Sequence, residues 1–139
     1  MRVMVFVKGD PSASEATEEM FAEMGRYNEE LVSAGVMVTG EGLLGSSFGR
    51  RVTFRDARET TVTEGPFADP ESLVSGFWIF QVADMDEAVA WARKAPFPPG
   101  QTLELRRIAE AEDFGEALTP ELKEQERELR ERNEARQHG

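Results

Sequence analysis

The chain has 139 residues, with 27 acidic and 16 basic side chains and a formal charge of −11 at pH 7. That balance disfavours non-specific binding to nucleic acid or to anionic membrane surfaces, since both rest on basic groups facing phosphate. There is no cysteine, so neither a disulfide framework nor a thiolate metal site can form. The length suits one domain with a real hydrophobic core, plus an appendage. Met1-Arg2-Val3 enters a strand at once, without the charged and apolar regions of a signal peptide. No stretch is long enough to span a bilayer, and the expectation is a soluble cytoplasmic protein.

Val3 to Lys8 reads as the first strand, with apolar residues on both faces. Gly9-Asp10-Pro11-Ser12 breaks it, and a helix is expected from about Ser14 to Ala34. Ala16, Met20, Met24, Tyr27 and Leu31 recur there at helical spacing, with the glutamates mostly off the stripe. Gly35 stands where a helix closes with a left-handed residue. Val36-Met37-Val38 begins a second strand that ends near Gly40-Glu41-Gly42-Leu43-Leu44. Arg51 to Arg55 and Thr60 to Thr63 form the arms of a hairpin turned by Asp56 to Glu59, wet on one side. A loop with two prolines, Glu64 to Pro70, leads to the central strand, Ser75 to Val82. There Trp78, Phe80 and Val82 share one face and Phe77 and Ile79 the other.

Asp84-Met85-Asp86-Glu87 has the form of a capping box opening a second helix. Met85, Ala88, Val89 and Ala92 are its inward residues. Thr102 to Ile108 is the last strand, alternating Leu103 and Leu105 with Glu104 and Arg106 as an edge strand does. The composition then changes. Thr119-Pro120-Glu121 starts a third helix, almost entirely charged, with Glu126–Arg130 and Glu128–Arg132 as favourable pairs four apart. This helix either lies along the surface, reaches a neighbouring subunit or another protein partner, or is a solvated, partly frayed tail. The division expected is a core domain over 1–108 and an acidic linker with a charged helix over 109–139.

This order is the split pattern of an α+β, ferredoxin-like βαββαβ domain with an inserted hairpin and a C-terminal charged helix. The first and third core strands are expected as central, parallel neighbours. Two helices cover only one face of such a sheet. The other face carries either Met4, Phe6, Phe77 and Ile79 or the alternate set. Leaving four such side chains in water forfeits on the order of 6–12 kcal/mol, comparable with the net stability of a domain. A second sheet is the natural lid, which predicts a homodimer packed face to face.

Several segments, in order, resemble the YCII-related family, in the branch named for a DGPF motif. They are Asn28-Glu29-Glu30-Leu31 with Ala34-Gly35, Gly40-Glu41-Gly42-Leu43, Thr63-Glu64-Gly65-Pro66-Phe67-Ala68, Gly76-Phe77, Asp86-Glu87-Ala88, Trp91-Ala92 and Pro96. Glu64 replaces the aspartate of the namesake motif. The resemblance covers about Met1 to Ile108 and implies a dimeric α+β barrel. Some members of the broader group are enzyme-like, with a proposed His–Asp pair near an inter-sheet cleft, and one branch is linked to dehalogenation of a hydroxylated aromatic ring. The motif branch often accompanies extracytoplasmic-function sigma factors. The sole histidine here is His138, at the end of the chain, so the dyad does not carry over.

The remaining candidates for proton transfer are carboxylates, lysines and Tyr27. Glu41, between two glycines at a strand exit, is either a half-buried catalytic base or a turn carboxylate. Asp10 is either its partner or a plain turn residue before proline. Phe67 either stacks on a flat ligand or belongs to a rigid loop. Trp78 either touches a ligand or fills the core or dimer interface, and its indole N–H wants a partner if buried. Arg26 and Asn28, which flank Tyr27, either reach a carboxylate or face solvent. No clustered ligands suggest a metal, and no cofactor is implied. Three functions stay open: a small-ligand-binding or accessory homodimer with a cleft between the sheets, an enzyme using carboxylate chemistry on a small aromatic or carbonyl compound, and a regulatory interaction module.

Overall fold

The computed structural model describes residues 1–11 and 16–138; the expected helix start at Ser14 lies outside them. In β1 (Arg2–Lys8) the period of two is obeyed: Val3, Val5 and Val7 are buried, and Met4 and Phe6 on the opposite face are half-buried. Helix α1 (Glu18–Ser33) begins where Thr17 caps it, the hydroxyl accepting from the Met20 amide at 3.2 Å. Glu18 and Glu19 in its first turn complement the positive end of the helix dipole. Tyr27 and Leu31 are buried and Met24 packs against them, but Met20 is half exposed. Gly35 adopts φ +72° and ends the helix, letting the Val36 amide reach the Leu31 carbonyl at 2.9 Å.

Strand β2 (Met37–Gly42) follows. A separate two-stranded hairpin, β3 (Arg50–Phe54) and β4 (Thr60–Glu64), pairs Val52 with Val62. The Asp56 carboxylate holds its turn, accepting from the amides of Arg58 at 2.9 Å and Glu59 at 3.1 Å. The side of the hairpin expected to be dry is also exposed: Val52, Phe54 and Val62 are 55%, 79% and 61% accessible. The chain then enters β5 (Val74–Gln81), helix α2 (Met85–Ala92) and β6 (Leu103–Arg107).

The four long strands form one sheet in the order β2-β5-β1-β6. With β3–β4 set aside as an insertion, this is the ferredoxin-like βαββαβ arrangement. The two strands that are apolar on both faces, β1 and β5, are its central neighbours. They are antiparallel, not parallel as expected. The reason is the crossover through α1: it returns β2 in the direction of β1 but one strand away. β5 fills the gap from the other end, running against both.

Both helices lie on one face. There Val3, Val5 and Val7 meet Trp78 and Phe80, roofed by Tyr27, Leu31 and Ala88. In α2, Ala88 and Ala92 point inward one turn apart, while Val89, expected inside, is 41% exposed. Asp84 caps α2, accepting from the Glu87 amide at 2.8 Å; Glu87 reaches back past the cap to the Ala83 amide at 2.7 Å. The open face carries Met4, Phe6, Phe77 and Ile79, with Met4 opposite Ile79 and Phe6 opposite Phe77 in register. That settles the choice the sequence left undecided.

The chain divides into two compact units, Met1–Arg107 and Ile108–Gly139. In the second, a short helical segment, Ala111–Ala117, breaks at Gly115, where φ is +68°. Helix α3 (Pro120–His138) starts at Thr119, whose hydroxyl accepts from the Leu122 amide at 3.3 Å. None of its described side chains is buried. Arg130 pairs with Glu126 at 3.1 Å, and Arg127 bridges Glu124 and Glu131. The expected Glu128–Arg132 pair does not form. Among the described residues, no helix is long and apolar enough to cross a membrane.

Candidate functional site

Where β2 pairs with β5, Gly40 stands opposite Trp78 and Gly42 opposite Gly76. A Cβ on Gly40 would lie 2.6 Å from Trp78 Cδ1, so only glycine lets the indole settle there. A Cβ on Gly42 would meet nothing within 4 Å. These glycines form the floor of a hollow on the helix-bearing side of the sheet. The result is a cleft of about 270 Å³, walled by Val7, Met24, Trp78 and Phe97. Its position differs from the expected one, which was the face where two sheets would meet. For scale, an apolar cavity of about 150 Å³ takes up benzene.

The walls are tightly braced. Trp78 stands edge-on to Tyr27 at 5.5 Å and to Phe97 at 6.2 Å between ring centroids. Its indole N–H donates to Asn28 Oδ1 at 2.9 Å, which answers the need its burial creates. Behind it, the Tyr27 hydroxyl donates to the Trp91 carbonyl at 2.8 Å. Burial, and secondarily the negative charge of Glu30, pushes the phenol up to about 12. Tyr27 is therefore a structural post rather than a proton donor at neutral pH.

The five residues singled out from the sequence fall into three places. Trp78 forms a wall of the cleft. Glu41 also lines it, but with Gly40 beneath the indole, the alternation of the strand directs the Glu41 side chain to the open face, beside Phe77. Asp10 is elsewhere. Its carboxylate accepts from the Ser46 amide at 2.7 Å and from the Ser46 hydroxyl. The hydroxyl first, then the amide, hold its pKa below the usual carboxylate range.

Phe67 is joined to that same serine, its amide donating to Ser46 Oγ at 3.0 Å. A Cβ on Gly65 would fall 1.8 Å from the Ser46 carbonyl oxygen, so the Gly65-Pro66-Phe67 segment is glycine-led because the Ser46 backbone presses on it. One face of the Phe67 ring is already taken by the Arg51 guanidinium, 3.9 Å from the centroid. Arg51 in turn clamps Asp69 with bonds of 3.1 and 3.2 Å. Asp69 is held below the usual carboxylate range, by the Ser72 hydroxyl first and Arg51 next. Asp10 and Phe67 together line a second, wider groove with Leu44 and Phe48. Arg26 is exposed on α1 and lines neither hollow.

Asn28, open in the sequence to facing solvent or reaching a carboxylate, instead accepts from the Trp78 indole; sequence reasoning passed over Phe97 and Gly76. Asn28 carried a usable signal: it follows Met24 by four residues, on the same face of α1. The floor carried little, because Gly42 and Gly76 come from strands far apart in the chain.

The family model described as the YCII-related domain matches residues 1–112. No curated protein matches the chain. Among solved structures, it is similar to a 5-chloro-2-hydroxyhydroquinone dehydrochlorinase from Burkholderia phenoliruptrix AC1100, in complex with 2,5-dihydroxybenzoquinone. Identity is 18%, covering 81% of this chain and 98% of that one, with a TM-score of 0.42.

Proposed function

The chain belongs to the YCII-related family, and from that premise we propose that it is a small-ligand-binding or accessory homodimer whose ligand seats in the cleft between α1 and the sheet. One observation carries this reading: beside a braced aromatic wall, at Gly42, nothing stands within 4 Å of where a side chain would begin. The largely apolar lining with a few polar groups is that of a small-molecule site. The enzymatic reading has less support. Asp10 is engaged by Ser46 outside the cleft, the Glu41 side chain is directed to the opposite face, and the Tyr27 hydroxyl is bound to a backbone carbonyl.

The test is ligand-induced thermal stabilisation against a panel of single-ring compounds, on the natural protein and on Gly42→Val. A ligand at a hundred times its Kd adds about 2.7 kcal/mol of stability. The natural protein should gain stability from at least one compound, and the folded Gly42→Val variant should lose that gain. A folded variant that keeps the same affinity would show that the ligand sits elsewhere.

A further inference from the structure

We propose that Asn28, held in place by Trp78, is the recognition group of this cleft, and that it selects uncharged planar compounds bearing a hydrogen-bond acceptor such as a ring-borne carbonyl. This rests on the ligand-binding reading above and names what the cleft takes.

The argument begins with the chemistry of the two partners. An indole N–H can only donate. The Asn28 amide therefore turns its oxygen to Trp78, at 2.9 Å, and its NH2 group must point the other way. Asn28 lines the cleft, and among the described residues nothing accepts from that NH2. The Trp78 indole thus serves twice, as a wall and as the clamp that fixes which end of the amide a ligand meets.

Charge supplies the second constraint. The lining residues include no lysine, arginine or histidine; the one ionisable group is Glu41, whose side chain lies toward the other face. The chain as a whole carries −11. A carboxylate or phosphate would enter an apolar hollow without a counter-charge, at a large desolvation penalty. A neutral carbonyl oxygen meets a fixed donor instead. Shape supplies the third. The floor is glycine backbone, and the Trp78 and Phe97 rings wall it, which favours a flat molecule of about one ring.

Three probes share a ring and differ in one group: acetophenone carries the neutral acceptor, ethylbenzene has none, and benzoate is anionic. Binding is read by NMR from the Trp78 indole N–H and the Asn28 side-chain amide, with the Trp91 indole as an internal control. Acetophenone should shift both reporters and bind about tenfold tighter than either other probe, the scale of one buried hydrogen bond. Asn28→Asp keeps an oxygen for the indole and removes the donor. It should weaken acetophenone about tenfold and leave ethylbenzene unchanged; Asn28→Leu should do the same where it folds. Probes that bind with no preference, a preference for benzoate, or a preference that survives Asn28→Asp would overturn the assignment of Asn28 while leaving the cleft a ligand site. No shift at Trp78 with any of the three would overturn both readings.

Discussion

Tyr27 is the only tyrosine in the chain, so its ionisation can be followed by absorbance without interference. Burial and the Glu30 charge raise its pKa to about 12, against about 10 in an unfolded chain. A raised folded-state pKa means that this contribution to stability is complete below the unfolded value and is lost as pH climbs through the folded one. The native protein should therefore show a phenolate midpoint near 12, falling to about 10 in denaturant. A native midpoint at the unfolded value would mean that the post behind Trp78 is not sealed. The same scale separates two glycines that look alike in sequence. Gly65→Ala drives a methyl into the Ser46 carbonyl, with 1.8 Å available, whereas Gly42→Ala enters open space. Gly65→Ala should destabilise the protein by about 1–3 kcal/mol in urea unfolding, and Gly42→Ala should leave the midpoint nearly unchanged. Equal effects would contradict this account of the loop. Asp10 and Phe67 were open to two readings from the sequence because the residue that joins them, Ser46, is remote from both.

Helix α2 spans only eight residues, Met85–Ala92, well below the length at which a helix holds itself together in water. Its cap and its two buried alanines carry it. Asp84→Ala removes the acceptor for the Glu87 amide and should cost about 0.5–2 kcal/mol, seen as a lower urea midpoint with an unchanged slope. An unchanged midpoint would mean that packing alone holds the helix. This cap was legible in advance because capping is local chemistry, written in four consecutive residues. The relative direction of β1 and β5 was not, because an alternating pattern reports which faces are buried and says nothing of which way the strand runs. Val89 was misplaced for a related reason: over eight residues, adjacent positions on a helical stripe are hard to tell apart without knowing the tilt. The cleft was the least legible feature, since its floor is made of missing side chains contributed by two strands and its donor by a helix.

The whole molecule turns on the open face of the sheet. Met4, Phe6, Phe77 and Ile79 form its centre. The pleat places Glu104 and Arg106 of β6 on the same side, opposite Phe6 and Met4, where they pair at 3.6 Å. On the other edge, Thr39 and Glu41 stand opposite Ile79 and Phe77. An apolar centre between polar edges is the anatomy of a protein interface. A second copy turned by a two-fold axis would set the two apolar strips against each other, about 10 Å apart. Each of the four side chains is already half-buried, so its further burial contributes less than the full 1.5–3 kcal/mol or so of such a residue. Eight of them across a two-fold interface still amount to on the order of ten kcal/mol, the same order as the cost of association. Light scattering at low micromolar concentration should therefore give twice the 15.5 kDa chain mass. Ile79→Lys puts a charge at the centre of each strip and should halve that mass with far-UV dichroism unchanged. The cleft opens on the opposite side of the sheet, so the monomeric variant should still take up acetophenone. A natural protein that scatters as a single chain would remove the dimer from the proposal, and a monomeric Ile79→Lys that loses the probe would mean that the cleft needs the second copy to hold its shape.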